Sequence, residues 1–158
     1  MILKSFILAI ACCLCLLSGN AFSLPLNTAT PSQEILETID QFLSTLPGDY
    51  YTIQKIDKLK KIDNALFIDV REPSEYLTGH IPGAINIPLG SLTDNLTQIP
   101  QKRPVILYCS TGYRTGIGVT TLQLLGYSNV RGFPPSIRGW KNAGESLEMF
   151  PEKVAKIE

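Results

Sequence analysis

Residues 105–130 read VILYCSTGYRTGIGVTTLQLLGYSNV, and this stretch decides the architecture. VILY is apolar without polar alternation, the pattern of a strand covered on both faces. A short loop of small residues follows. Residues 114–125 then read as a helix, closed by Gly126. Residues 129–131 read as a further short strand. Strands that alternate with helices and lack polar alternation predict a parallel sheet with helices on both faces.

In such a sheet functional loops leave the carboxyl ends of the strands. Cys109 stands at that end of VILY, and Ser110, Thr111, Gly112, Tyr113 and Arg114 lead from it into the helix. Small residues and Gly112 let the backbone curl around the sulfur. Several N–H groups then converge on one point, and the helix dipole adds positive potential there. Such a nest favours an anion and lowers a thiol pKa. Arg114 is placed to hold a second anionic group.

Upstream, residues 32–46 carry Ile35, Leu36, Ile39, Phe42, Leu43 and Leu46 at helical spacing. Thr30 is the expected cap, with Pro31 at the first helical position and Gln33 completing a capping box. The apolar stripe is expected to dock on the domain; binding a partner is the sharper alternative. Strands are expected at 50–53, 65–70 and 84–87, making five with the two above, and short helices at 55–61, 74–78 and 92–99. Tyr50 and Tyr51 read as strand residues.

LFIDVREPSEYLTGHIPGAINIP (66–88) followed by the 105–130 stretch resembles the rhodanese family, from about residue 50 to 144. Asp-Val-Arg, Gly-His-Ile-Pro-Gly-Ala and Cys-x-x-Gly-x-Arg occur in order, and Trp140-Lys-Asn-Ala-Gly fits the end of the domain. The resemblance implies a rhodanese-like α/β fold with a central parallel five-stranded sheet, and sulfane-sulfur transfer. Carried over residue by residue, Cys109 is the nucleophile that attacks a donor such as thiosulfate and becomes a persulfide. A thiol or cyanide then removes the outer sulfur in ping-pong fashion. The amides of residues 110–114 form the cradle and Arg114 contacts the anion, while Asp69 and Arg71 brace the neighbourhood. No cofactor or metal is implied; the partners are a small sulfur donor and a thiol acceptor.

His80, the lone histidine, reads as structural in its Gly-His-Ile-Pro-Gly turn, since a nest activates a thiol without a general base. Glu72 and Glu75 stand near a helix start and are assigned no chemistry. One position departs from the family pattern: Pro135-Ser136 stands where a Gly-Gly pair is usual. Proline fixes φ and removes an N–H, so a reshaped turn at the pocket rim is expected. Dual-specificity phosphatases and arsenate reductases have related Cys-to-Arg loops. A tetrahedral phosphate needs one residue more than the four (110–113) that intervene here. A non-enzymatic persulfide carrier or partner-binding module is the other alternative.

The chain has 158 residues, with 44% hydrophobic and 18% charged, and a formal net charge of zero. No polybasic surface for nucleic acid is implied. MILKSFILAIACCLCLLSGNAFS (1–23) has Lys4, an apolar run over 6–17 and then small residues, the order of a cleaved secretory signal. The run is shorter than the roughly 20 residues of a membrane span. An uncleaved anchor, or a lipoprotein through Cys12, fits less well. Export to a periplasm or the exterior is therefore expected, with no stable membrane insertion after cleavage and a possible exported protein partner. Cys12, Cys13 and Cys15 leave with the signal, so only Cys109 remains, which excludes an internal disulfide. The expected organisation is a signal at 1–23, linker and helix at 24–48, the rhodanese-like domain at 49–150 and a tail at 151–158.

Overall fold

A computed structural model describes residues 30–149. The expected signal (1–23), the linker at 24–29 and the tail at 151–158 lie outside the described residues. The chain divides into two compact units, Met1–Thr38 and Ile39–Glu158. Residues 30–38, the described part of the first, open helix α1 (Gln33–Ser44). Ser32 rather than Thr30 caps it, its Oγ accepting the Ile35 N–H at 3.3 Å. No residue of α1 is buried, and Ile35, Leu36 and Leu43 are exposed. Within the second unit, Phe42 and Leu46 are half-buried and line a cavity of about 270 Å³ with Tyr51, Thr115, Val119 and Pro134.

The second unit is built on a four-stranded parallel sheet of order β2-β1-β3-β4. Its strands are β1 (Leu66–Asp69), β2 (Ile85–Asn86), β3 (Val105–Tyr108) and β4 (Val130–Gly132). Every residue of β3 is buried, as its unbroken apolar run requires. The fifth strand expected at 50–53 is a correction: that segment makes a single parallel bridge, Thr52 to Gly132. Tyr50 and Tyr51 have φ of 51° and 57°, and left-handed backbone cannot continue a ladder.

Helix α2 (Ile56–Leu59) precedes β1, and α3 (Pro73–Leu77), with proline in its first turn, follows it. The helix expected at 92–99 is a pair of 3-10 segments, Leu89–Ser91 and Thr93–Gln98. Asn95 leaves helical geometry there, its side chain donating to the Ser91 carbonyl at 2.8 Å in competition with the backbone. Helix α4 (Tyr113–Leu124) follows β3, and α5 (Ser136–Asn142) follows β4.

Side chains alternate across β3. Val105, Leu107 and Cys109 join one core with Ile68, Val119 and Leu122. Ile106 and Tyr108 join another with Phe133, Ile137 and Trp140. Cys109 thus faces the side that α4 covers. Gly118 lets α4 close down, since a Cβ there would lie 2.8 Å from Leu107 Cδ2. Burial of these aliphatic side chains contributes about 1.5–3 kcal/mol each and holds the strand end rigid beneath the loop.

Candidate active site

The loop from Cys109 to Arg114 leaves the carboxyl end of β3 and enters α4 within a few residues. Gly112 makes the turn with φ of 106°, and a Cβ at that position would lie 2.8 Å from the Pro134 carbonyl oxygen. Only glycine meets both demands. The Gly112 N–H donates to Cys109 Sγ at 3.1 Å. The carbonyls of Cys109 and Ser110 point the other way, accepting from Ile137 N–H at 3.1 Å and Arg138 N–H at 3.3 Å. With those carbonyls held by α5, the Cys109 N–H donates to Ser136 Oγ at 3.1 Å and the Gly112 N–H faces the sulfur.

Cys109 is buried, at 1% exposure. Burial by itself pushes its thiol up. The Thr115 hydroxyl and the amides of Thr115, Gly112 and Thr111 act against burial and prevail, bringing the thiol from 9.0 down to about 7. These donors shift the balance toward the thiolate. Of the amides expected to face the sulfur, that of Gly112 donates to Sγ, while those of Thr111 and, one residue beyond the expected span, Thr115 favour the thiolate.

Arg114 lies on the first turn of α4, but its guanidinium is engaged. It meets Glu75 of α3 in a two-pronged pair, Nη1 to Oε2 at 2.6 Å and Nη2 to Oε1 at 2.8 Å. Ser110 Oγ donates to Glu75 Oε1 at 2.8 Å and accepts from Arg114 Nη2 at 3.0 Å. The Arg114 hydrogen bonds hold the Glu75 carboxyl down at about 2. Glu75 and the Cys109 thiolate both hold the guanidinium in its charged form. Tyr113 is 80% exposed at the rim.

Asp69 and Arg71 are both buried, 2.6 Å apart at Oδ2 and Nη2. Arg71 Nη2 also donates to the Gly79 carbonyl at 2.8 Å, and Arg71 N–H to Asp69 Oδ1 at 2.9 Å. Burial opposes the Arg71 charge, and the Asp69 carboxylate more than restores it. The pair locks the turn after β1, from which α3 presents Glu75. His80 is buried in the turn between α3 and β2. It stacks on Tyr76 with ring centres 3.8 Å apart, and its Nε2 lies 3.7 Å from Glu148 Oε2.

Sequence reasoning missed Glu75, Thr115 and Ser136. Thr115 follows Arg114 directly and sits where the helix start faces the sulfur. Ser136 had a signal, the departure from Gly-Gly. It takes φ of 54°, the left-handed conformation a glycine supplies freely and a serine adopts only at a cost. Glu75 had no signal, because only folding brings α3 against the loop.

A parallel α/β sheet with a low-pKa cysteine cradled at the end of its central strand defines a class of thiolate-based proteins. Residues 52–143 match the family described as "Rhodanese-like domain", and the chain belongs to that family. YqhL of Bacillus subtilis, an uncharacterised protein, is 40% identical over 76 residues, covering 48% of this chain and 60% of its own length. A thiosulfate:glutathione sulfurtransferase of Saccharomyces cerevisiae is 33% identical over 100 residues, covering 54% of this chain and 72% of its own. The crystal structure of a rhodanese-related protein from Thermoplasma volcanium is similar with a TM-score of 0.58 at 27% identity, over 63% of this chain and 98% of that one. The chain spans less than two thirds of the Bacillus relative. Relatives named sulfurtransferases support a sulfur-transfer role in general.

Proposed function

We propose that the protein is an exported sulfurtransferase that carries sulfane sulfur as a persulfide on Cys109. The observation that carries this reading is the amide cradle around Sγ, led by Gly112 N–H at 3.1 Å, which holds the thiol at about 7. In the loading step the Cys109 thiolate attacks the outer sulfur of thiosulfate or a related donor. The sulfur–sulfur bond of the donor breaks, sulfite leaves with the electron pair, and Cys109 becomes a persulfide anion. The amides that favour the thiolate also suit that anion. A thiol acceptor then takes the outer sulfur and the thiolate returns.

Arg114 serves this reading by position rather than as a free anion clamp. Paired with Glu75 and Ser110, it ties α3 to the loop and keeps the cradle in shape. The Asp69–Arg71 pair supports the same arrangement from below.

Incubation with thiosulfate is expected to add one sulfur atom to Cys109, read by intact-mass spectrometry. A panel with mercaptopyruvate and glutathione persulfide then ranks the donors. No gain of sulfur from any donor would sink the reading; turnover of a generic aryl phosphate instead would move it to the phosphatases. Export is tested by fractionation and N-terminal sequencing of the protein from its host, which should start at residue 22 or 24. An intact N-terminus would refute cleavage.

A further inference from the structure

Ser136 opens α5 with no exposed surface, and its φ of 54° strains any residue but glycine. Strain retained beside a reactive sulfur directs attention to what the side chain does. Its Oγ accepts the Cys109 N–H at 3.1 Å. It lies 2.9 Å from the Phe133 carbonyl oxygen, 3.5 Å from Thr115 Oγ1 and 3.8 Å from Cys109 Sγ. A serine hydroxyl has one proton to donate and rotates freely to place it. Toward a neutral thiol the Phe133 carbonyl is the nearer and better acceptor. A thiolate reverses the preference, since a hydrogen bond to a charged acceptor is roughly twice as strong. The oxygen keeps the Cys109 amide in both states.

We propose that Ser136 is a positioning residue for Cys109, its hydroxyl donating to the sulfur when the sulfur is charged and to the Phe133 carbonyl when it is not. The inference rests on the sulfur-transfer reading and locates where it acts. In the persulfide the negative charge sits on the outer sulfur. During release, the acceptor thiol sulfur attacks that outer sulfur and the bond to Sγ breaks. The electron pair returns to Sγ, and the thiol proton passes to the transferred sulfur, so that R–SH becomes R–S–SH. Charge has then moved onto Sγ, where the Ser136 proton meets it. Ser136 thereby assists Cys109 as the leaving group.

The charged groups around the loop are Arg114 and Glu75, paired with each other, Asp69 and Arg71, likewise paired, and the exposed Arg138 on α5. None is altered by substitution at Ser136, so a changed titration reports the hydroxyl. Ser136→Gly removes the hydroxyl and relieves the backbone; Ser136→Ala removes the hydroxyl and keeps the strain. The Cys109 thiol is titrated in each by ultraviolet thiolate absorbance and by alkylation rate with iodoacetamide against pH. Both variants are expected to titrate about one pKa unit above the native protein. Single-turnover release of sulfur from the preformed persulfide to a thiol is expected to slow several-fold. An unchanged titration in both, or a shift confined to one variant, overturns the proposal whatever happens to thermal stability. The titration uses no sulfur donor, so a native protein that fails to load sulfur refutes the transfer reading by a separate result.

Discussion

The loops that leave β1 and β3 start side by side, since Asp69 lies opposite Tyr108 in the parallel register, yet they treat charge in opposite ways. After β1 the chain buries two opposite charges, Asp69 and Arg71, and satisfies Arg71 further at the Gly79 carbonyl. That charge is closed and has nothing left to react. After β3 the chain buries one ionisable group, Cys109, and meets it chiefly with hydrogen-bond donors, the nearby Arg114 charge being already paired with Glu75. Dipoles can favour an anion without neutralising it, so the sulfur keeps its nucleophilic pair. Burial with a counter-ion makes a brace, whereas burial among amides makes a reactive centre. Glu75 joins the two, borne on the helix after the first loop and bonded to Ser110 and Arg114 of the second.

The contrast can be broken from either side. Cys109→Ser should abolish formation of thiocyanate from thiosulfate and cyanide while leaving the circular dichroism spectrum unchanged; retained activity would refute the site. Asp69→Ala leaves Arg71 buried and uncompensated, and should lower unfolding stability by about 3–5 kcal/mol in urea titrations. A change near zero would mean that the pair is no brace. Gly112→Ala forces a Cβ against the Pro134 carbonyl and strains the turn by about 1–3 kcal/mol. Loading of sulfur on Cys109 should slow about a hundredfold as the Gly112 amide is displaced, measured by stopped mass-spectrometric time courses.

Two further measurements sharpen the comparison. Because donors favour the charged form, the Cys109 alkylation rate should rise through pH about 7 rather than 9; a midpoint near 9 would show that burial outweighs the cradle. Glu75→Gln should lower activity only several-fold, since the amide still accepts one Arg114 bond. It should also remove a pH dependence of stability. The native carboxyl is depressed from 4.5 to about 2, so its contribution is complete above pH 4.5 and fades as pH falls toward 2. Urea unfolding of both forms across that window should converge at the acid end. A constant difference would place the effect elsewhere.

Much of this was legible in order. Apolar runs at 66–69 and 105–108 and the helix after Gly112 came through, because buried parallel strands carry an unmistakable continuous pattern. The edge at 50–53 did not, since two tyrosines of high strand preference sit in left-handed backbone. There, the turn after Gly48 and the pairing of Thr52 with Gly132 override local preference. The helix expected at 92–99 failed for a local reason, an asparagine side chain competing with the backbone.

By itself the sequence determined where a cysteine stands relative to a buried strand and a helix start, and that a glycine follows it at the turn. Those are facts of chain order, and a short loop obliges its amides to gather. Which groups reach the sulfur was decided only by tertiary structure. Ser136 is brought to Cys109 by the return of the chain after β4, and Glu75 to Arg114 by the packing of α3. Each of these contacts spans many residues of chain, so no local pattern encodes it.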